Sequence, residues 1–179
     1  GTCRRQRQMC IRDSDKYIKT YEAGWEVLRE QRKIRAVENG IFPSDKDIVD
    51  SLSRFESWSE VEQQDKKMLI KSMAVFAGML DAMDFHLGRF INYLKEKGLY
   101  ENTIFIVTAD NGPEGNDPTE HKAWRDWFET TIYDRDYETL GDQDSYVFIG
   151  TEFAQAMASP SHLYTVSYTH LRAHETLSH

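Results

Sequence analysis

The chain has 179 residues, of which 40% are hydrophobic, enough for the core of one domain or for part of a larger domain. Its net charge of −8 at pH 7 argues against nucleic acid or an anionic membrane surface as a partner. Every apolar run is far shorter than the roughly 18 residues of a transmembrane helix, so we predict no membrane span.

Two helices are predicted first in chain order. An apolar pattern predicts a helix from about Tyr17 to Asn39, and Asn39 with Gly40 predicts a left-handed C-cap at its end. A longer helix is predicted from Ser59 to Lys97, because apolar residues recur there at spacings of three and four, and Gly98 ends it. This apolar stripe consists of Leu69, Met73, Phe76, Leu80, Met83, Leu87, Phe90 and Leu94.

A strand is predicted directly after the long helix. Residues Thr103 to Thr108 are mostly β-branched or aromatic, which is typical of a strand buried on both faces of a parallel sheet. We therefore predict an α/β fold in which this strand is central and the long helix packs across one face of the sheet. Shorter elements are predicted further on, namely a helix within Ala123–Phe128, a strand at Ser145–Ile149 and a helix at Glu152–Met157.

Two oxygen-bearing side chains, Asp110 and Asn111, follow this strand and precede a turn at Gly112 and Pro113. Ligands collect at the carboxyl ends of parallel strands, where loop residues converge. Carboxylate and amide oxygens are the donors that Ca²⁺ and Mg²⁺ prefer. Because Asn-Gly is also a common turn sequence, the pattern by itself allows either a divalent-cation site or a plain turn.

Both ends of the chain resemble translated sequencing adapters. Residues from Arg4 to Ser14 match the in-frame translation of a transposase-type sequencing adapter, and residues from Val166 to Thr176 match that of its partner adapter. We therefore expect residues 1–14 and 166–179 to be adapter-derived and not structural, and residues 15–165 to be a partial domain. Both cysteines, Cys3 and Cys10, lie in the first of these segments, so no disulfide or cysteine-based zinc site is predicted in residues 15–165.

Several short segments, taken in order, match one protein family. They are Gly24–Arg29 with Arg32 and Arg35, Met83–Asp84 with Gly88–Arg89, Asn102–Thr103 leading to Asp110–Asn111–Gly112, and then Gly141, Ser145–Tyr146, Gly150, Phe153–Ala154 and Pro160. Their order and spacing resemble the formylglycine-dependent sulfatases, and among these the bacterial arylsulfatase branch. The resemblance implies that residues 15–165 are part of an alkaline-phosphatase-like catalytic domain of a sulfuric ester hydrolase.

The resemblance also implies a metal site. In that family the Asp and Asn of the strand-end motif bind the active-site Ca²⁺, which assigns this role to Asp110 and Asn111, with Mg²⁺ as the other possible cation. Ala109 stands where the family usually has Ser, and Thr165 stands where it has a late Lys. The C-x-P-S-R signature that carries the formylglycine nucleophile is absent from the sequence, so no catalytic residue is assigned and the nucleophile is expected in a missing upstream part.

The expected substrate of the intact enzyme is a sulfate ester, and a periplasmic or secreted location would fit the family. Two alternatives stay open. One is a metal-dependent phosphohydrolase of the same superfamily, although its usual His-containing motifs are not evident between Gly112 and Thr165. The other is an inert partial domain. The roles of His121 and His162 are also open, as either surface histidines or residues of the site.

Overall fold

The computed structural model describes residues 14–43, 56–109, 111–115, 122–130 and 135–160. Regular structure in these ranges is helical: α1 is Ile18–Tyr21, α2 Gly24–Glu38, α3 Gln63–Glu96, α4 Lys122–Thr130 and α5 Gly150–Met157, with 3₁₀ turns at Asp15–Tyr17 and Tyr100–Asn102. The two short predicted helices are confirmed as parts of α4 and α5, whereas Ser145–Ile149 forms no strand. None of these described helices combines the length and the apolar composition needed to cross a membrane.

The predicted first helix is divided in two. α1 ends at Tyr21, and α2 begins at Gly24, whose φ of +83° lies in the left-handed region. A Cβ added to Gly24 would overlap Cγ of Trp58, so the indole ring packs directly on the backbone at the break. Glycine alone combines this φ with this close approach, which explains the interruption.

Both long helices end as predicted, in Schellman motifs. At the end of α2 the N–H of Gly40 donates to the carbonyl of Val37 at 2.9 Å, and the N–H of Ile41 donates to that of Ala36 at 2.8 Å. Gly98 closes α3 with the corresponding pair of bonds at 3.0 and 2.9 Å. Both glycines have a φ of +67°, the conformation that this cap requires.

The core lies where α2, α5 and the N-terminal half of α3 meet. Phe153 of α5 is fully buried, and its ring contacts those of Tyr21, Trp25 and Trp58 at centroid distances of 6.0, 5.5 and 5.7 Å. These rings meet edge to face, an arrangement worth about 0.5–1.5 kcal/mol per pair beyond the burial of apolar area. Met73 of α3 is also fully buried in this core and attaches the long helix to it.

The apolar stripe of α3 is buried near its two ends and uncovered between them. Met73 and Leu94 are buried, whereas Leu80 and Leu87 are 45% and 39% exposed. The helix itself is confirmed, but its predicted packing across a sheet is wrong for the described residues, since no sheet lies in those ranges. An apolar stripe needs a second layer to cover it, and no element in the described ranges covers the middle of α3.

The predicted central strand is not formed in the described part of the chain. Residues 103–109 have no regular secondary structure, and Ile104, Ile106 and Val107 are 85–90% exposed. A parallel strand exchanges backbone hydrogen bonds with strands on both of its edges, and the described ranges contain no neighbouring strand. Burial on both faces is therefore wrong for the described residues, whose regular structure is helical, as is consistent with part of a domain. The α/β fold of the whole domain stays a prediction.

The two predicted adapter segments lie almost entirely outside the described residues, so their origin stays a prediction. Ser14, the last residue of the first segment, is described and is fully buried. The 3₁₀ turn that follows it is tied to α3, because Nζ of Lys16 donates to Oδ2 of Asp81 at 2.5 Å. A second ion pair, between Lys71 and Asp15 at 3.2 Å, joins the same two elements.

Candidate functional site

A short, locally bonded connection leads from α3 toward the predicted metal site. The 3₁₀ turn at Tyr100–Asn102 follows the end of the helix, and Oγ1 of Thr103 donates to the carbonyl oxygen of Leu99 at 2.8 Å. Thr103 has extended backbone angles, with φ −121° and ψ 128°. The segment from Thr103 to Ala109 therefore starts from a defined point at the end of α3.

Asn111 is the one predicted metal ligand that the structure describes, and it is exposed. Its Nδ2 donates to the carbonyl oxygen of Gly112 at 2.9 Å. Because this bond uses the amide nitrogen, the amide oxygen, which is the atom that binds a hard cation, stays accessible. Asp110 lies outside the described residues, so its role as the second ligand stays a prediction.

The described residues do not assemble a complete metal site. Within these ranges no group of three or more His, Cys, Asp or Glu side chains is close enough to hold a metal ion. His121 and His162 also lie outside the described residues. Tight Ca²⁺ sites use about six to eight oxygen ligands, so Asp110 and Asn111 need further donors to form one.

A cleft of about 350 Å³ lies next to the loop that follows Asn111, and the buried Gly115 lines it. The charged residues around the cleft are Glu56, Asp65, Arg135 and Glu152. With three carboxylates and one guanidinium, the described part of the lining favours a neutral or cationic group over a sulfate anion. Sequence reasoning missed these carboxylates because they come from distant parts of the chain and no local spacing connects them.

Several described residues that carry the family resemblance connect the helices to one another. Trp25, Arg29 and Phe153 are buried in or beside the core. The carbonyl oxygen of Arg29 accepts a hydrogen bond from Oγ of Ser159 at 2.9 Å, which joins α2 to the end of α5. Gly141 has a φ of +100°, and a Cβ there would lie 3.0 Å from a Val75 methyl group of α3. These motif positions therefore hold the helices together.

Among the described residues, Lys16 and Tyr21 have pKa values shifted from their usual range, and neither residue lines the cleft beside Gly115. The hydrogen bond to Asp81 raises the pKa of Lys16. Burial raises the pKa of Tyr21, while the positive charge of Arg32 works against this increase. Both effects belong to the region around α1.

Comparison with known proteins points to one family. A family model described as Sulfatase matches residues 10–145. The chain is 32% identical over 151 residues to an uncharacterized sulfatase of Schizosaccharomyces pombe, a match that covers 83% of this chain and 27% of that protein. It is 26% identical over 150 residues to an arylsulfatase of Klebsiella aerogenes, covering 82% of this chain and 32% of that enzyme. The matched part is thus about a third or less of the length of either relative.

Proposed function

Because the chain belongs to the sulfatase family, we propose that it is part of a sulfuric ester hydrolase in which Asp110 and Asn111 bind the active-site Ca²⁺. The observation that carries this proposal is the family match over residues 10–145, which includes the Asp-Asn-Gly motif. An arylsulfatase among the relatives supports an ester of sulfate as the substrate of the intact enzyme.

The chemistry of the two side chains fits a divalent cation. Asp110 supplies a carboxylate, and the exposed Asn111 supplies an amide oxygen that its bond to Gly112 does not use. Bound Ca²⁺ would orient the sulfate group and neutralise negative charge that develops as the ester bond breaks. The two residues contribute to this by holding the cation with one charged and one neutral oxygen, and Mg²⁺ is the other cation that such donors bind.

The same proposal assigns the nucleophile to another part of the intact enzyme. Hydrolysis by the route of this family requires a formylglycine, and the sequence has neither C-x-P-S-R nor S-x-P-S-R. The chain alone is therefore proposed to be an inactive part of the catalytic domain. The alternative is an inert domain that does not bind Ca²⁺, and the next experiment distinguishes these two cases.

Calcium binding to the purified chain tests the ligand assignment. The side-chain amide signals of Asn111 in an NMR spectrum should shift on addition of CaCl₂, with a dissociation constant of about 1 mM or weaker, because only two of the usual ligands are present. Asp110→Ala should remove the shift, whereas Asp84→Ala, which removes an exposed carboxylate from α3, should leave it unchanged. A shift that persists in Asp110→Ala would contradict the assignment.

A transplant tests the motif in a complete enzyme. Residues 103–112 would replace the matching segment of the Klebsiella aerogenes arylsulfatase, and Ca²⁺-dependent hydrolysis of p-nitrophenyl sulfate should persist. Asp110→Ala in the transplanted segment should lower kcat/KM by more than about 100-fold, since loss of even an outer partner of a metal site costs up to that factor. Ala109→Ser, which restores the usual residue of the family, is the control. Preferential hydrolysis of p-nitrophenyl phosphate would favour the phosphohydrolase alternative instead.

A further inference from the structure

A second cavity, of about 540 Å³, opens between the 3₁₀ turn at Asp15–Tyr17, α1, α2 and the segment after α5. It shares no lining residue with the cleft beside Gly115. Its volume falls in the range of about 300–1,000 Å³ that small-molecule sites occupy. The cavity is therefore large enough for an organic ligand, and Asn111 is not among its described lining residues.

The lining of this cavity is cationic although the protein is acidic. Arg32 and Arg35 lie three residues apart on α2 and so share one face of the helix. The described lining contains no Asp or Glu, whereas the whole chain has a net charge of −8. Among the described residues no carboxylate forms an ion pair with either guanidinium. The local charge thus selects for an anion.

Arg32 also carries an unsatisfied donor. Within the described part of the chain, its Nε is the one buried side-chain polar atom that has no hydrogen-bond partner. Burying a charged donor without a partner is costly, and an anion bound by the terminal nitrogens of the same guanidinium would offset part of that cost through its charge. The effect of Arg32 on the pKa of Tyr21 places its charge near the phenol that lines the same cavity.

The remaining lining supplies both polar and apolar contacts. Tyr17 and Thr20 bring hydroxyl groups, while Leu28 and Ile41 bring apolar side chains. Guanidinium groups bind tetrahedral oxyanions through paired N–H donors, and the hydroxyls add further donors. Such a lining suits a ligand that has a charged head and an apolar body.

We propose that this cavity binds a small organic oxyanion, with its sulfonate, sulfate or phosphate head on Arg32 and Arg35 and its apolar body against Leu28 and Ile41. This site is independent of the metal site, and its ligand does not need to be hydrolysed. The proposal therefore stands or falls separately from the function assigned to Asp110 and Asn111.

NMR of the arginine Nε–Hε groups of the unaltered chain tests the proposal directly. Benzenesulfonate and methanesulfonate carry the same charged head and differ in their apolar body, and both are titrated at constant ionic strength. Saturable shifts of Arg32 and Arg35, with no shift of Arg89, are expected. Benzenesulfonate should bind about tenfold more tightly, because a buried ring adds apolar contact. Equal affinities, or shifts that do not saturate, would overturn the proposal.

Matched variants complete the test. Arg32→Gln and Arg35→Gln should each weaken benzenesulfonate binding by about tenfold, the effect of losing one charge-assisted hydrogen bond. Lys33→Gln removes the same charge from α2 without touching the lining, so its affinity should stay within about twofold of the parent. The Asn111→Ala variant should bind benzenesulfonate with the affinity of the parent chain. An equal loss in Lys33→Gln would refute the site, and Arg35→Gln, at an exposed position, provides the test if Arg32→Gln does not fold.

Discussion

The indole of Trp25 and the ring of Phe153 meet edge to face, with their centroids 5.5 Å apart and their planes at 87°. Trp25 belongs to α2 and Phe153 to α5, two helices that are separated by more than a hundred residues of sequence. This contact joins two of the segments that carry the family resemblance. Some residues that carry the resemblance therefore pack the core, so the first predictions concern stability.

Replacing Phe153 by Ala should lower the free energy of unfolding by about 3–5 kcal/mol, because the ring is fully buried and its removal leaves a cavity. Urea denaturation followed by circular dichroism at 222 nm measures the change. Phe90→Ala is the control, since this ring is 51% exposed on α3 and its loss should cost less than about 1 kcal/mol. Equal losses in the two variants would contradict the described core.

Two glycines should respond in opposite ways to the same substitution. Gly24→Ala should be strongly destabilising, because the φ is +83° and the new methyl group would overlap the Trp58 ring. Gly88→Ala, inside α3 with nothing within 4 Å of the new atom, should stabilise by about 0.5–1 kcal/mol. The midpoint temperatures of thermal unfolding of both variants and of the parent chain show whether glycine at the break is required for stability.

Stability should decline at alkaline pH partly through Tyr21. Burial raises the pKa of this phenol above its usual 10.0, so the folded chain holds the proton more tightly than the unfolded chain does. The resulting stabilisation is fully present below about pH 10 and is lost as the pH rises through the folded-state pKa. Tyr21→Phe should therefore show a shallower decline of the unfolding free energy between pH 9 and 11 than the parent, with Tyr93→Phe at an exposed position as the control. Identical slopes for Tyr21→Phe and the parent would refute this role.

The exposed segment after α3 should promote self-association. Ile104, Ile106 and Val107 present apolar side chains and unpaired backbone groups to solvent, which is the usual condition for edge-to-edge pairing. Ile106→Lys should reduce light scattering at high protein concentration, because it removes apolar surface and adds charge. Thr108→Lys adds the same charge without removing apolar surface and should have the smaller effect. If both variants scatter equally, charge alone explains the change.

No hydrolysis of a chromogenic aryl sulfate is expected from residues 1–179 at any Ca²⁺ or Mg²⁺ concentration. The chemistry needs a nucleophile, a cation with its full ligand set and cationic groups on the sulfate oxygens, and the chain offers two predicted cation ligands. The assay compares purified parent with Asp110→Ala. Turnover by the parent above that variant would show that the chain is sufficient by itself.

Local features of the structure were largely predictable from the sequence. The ends of α2 and α3 follow from Gly40 and Gly98, because glycine adopts the left-handed cap conformation without steric cost. The length of α3 follows from its apolar spacing. The break at Gly24 was not predicted from the sequence, since it depends on Trp58, which approaches from a separate part of the chain.

For the candidate site, too, some features follow from the sequence alone and others depend on the tertiary structure. The sequence by itself determined the Asp110–Asn111 motif and the family, because these depend on residue type and order along the chain. The tertiary structure decided that the middle of the stripe on α3 and the segment from Ile104 to Ala109 are exposed. It also decided that Arg32 and Arg35 share with Tyr21 a cavity whose described lining contains no Asp or Glu. Apolar periodicity specifies which side chains require burial, but burial and charge clustering depend on which distant elements pack against them.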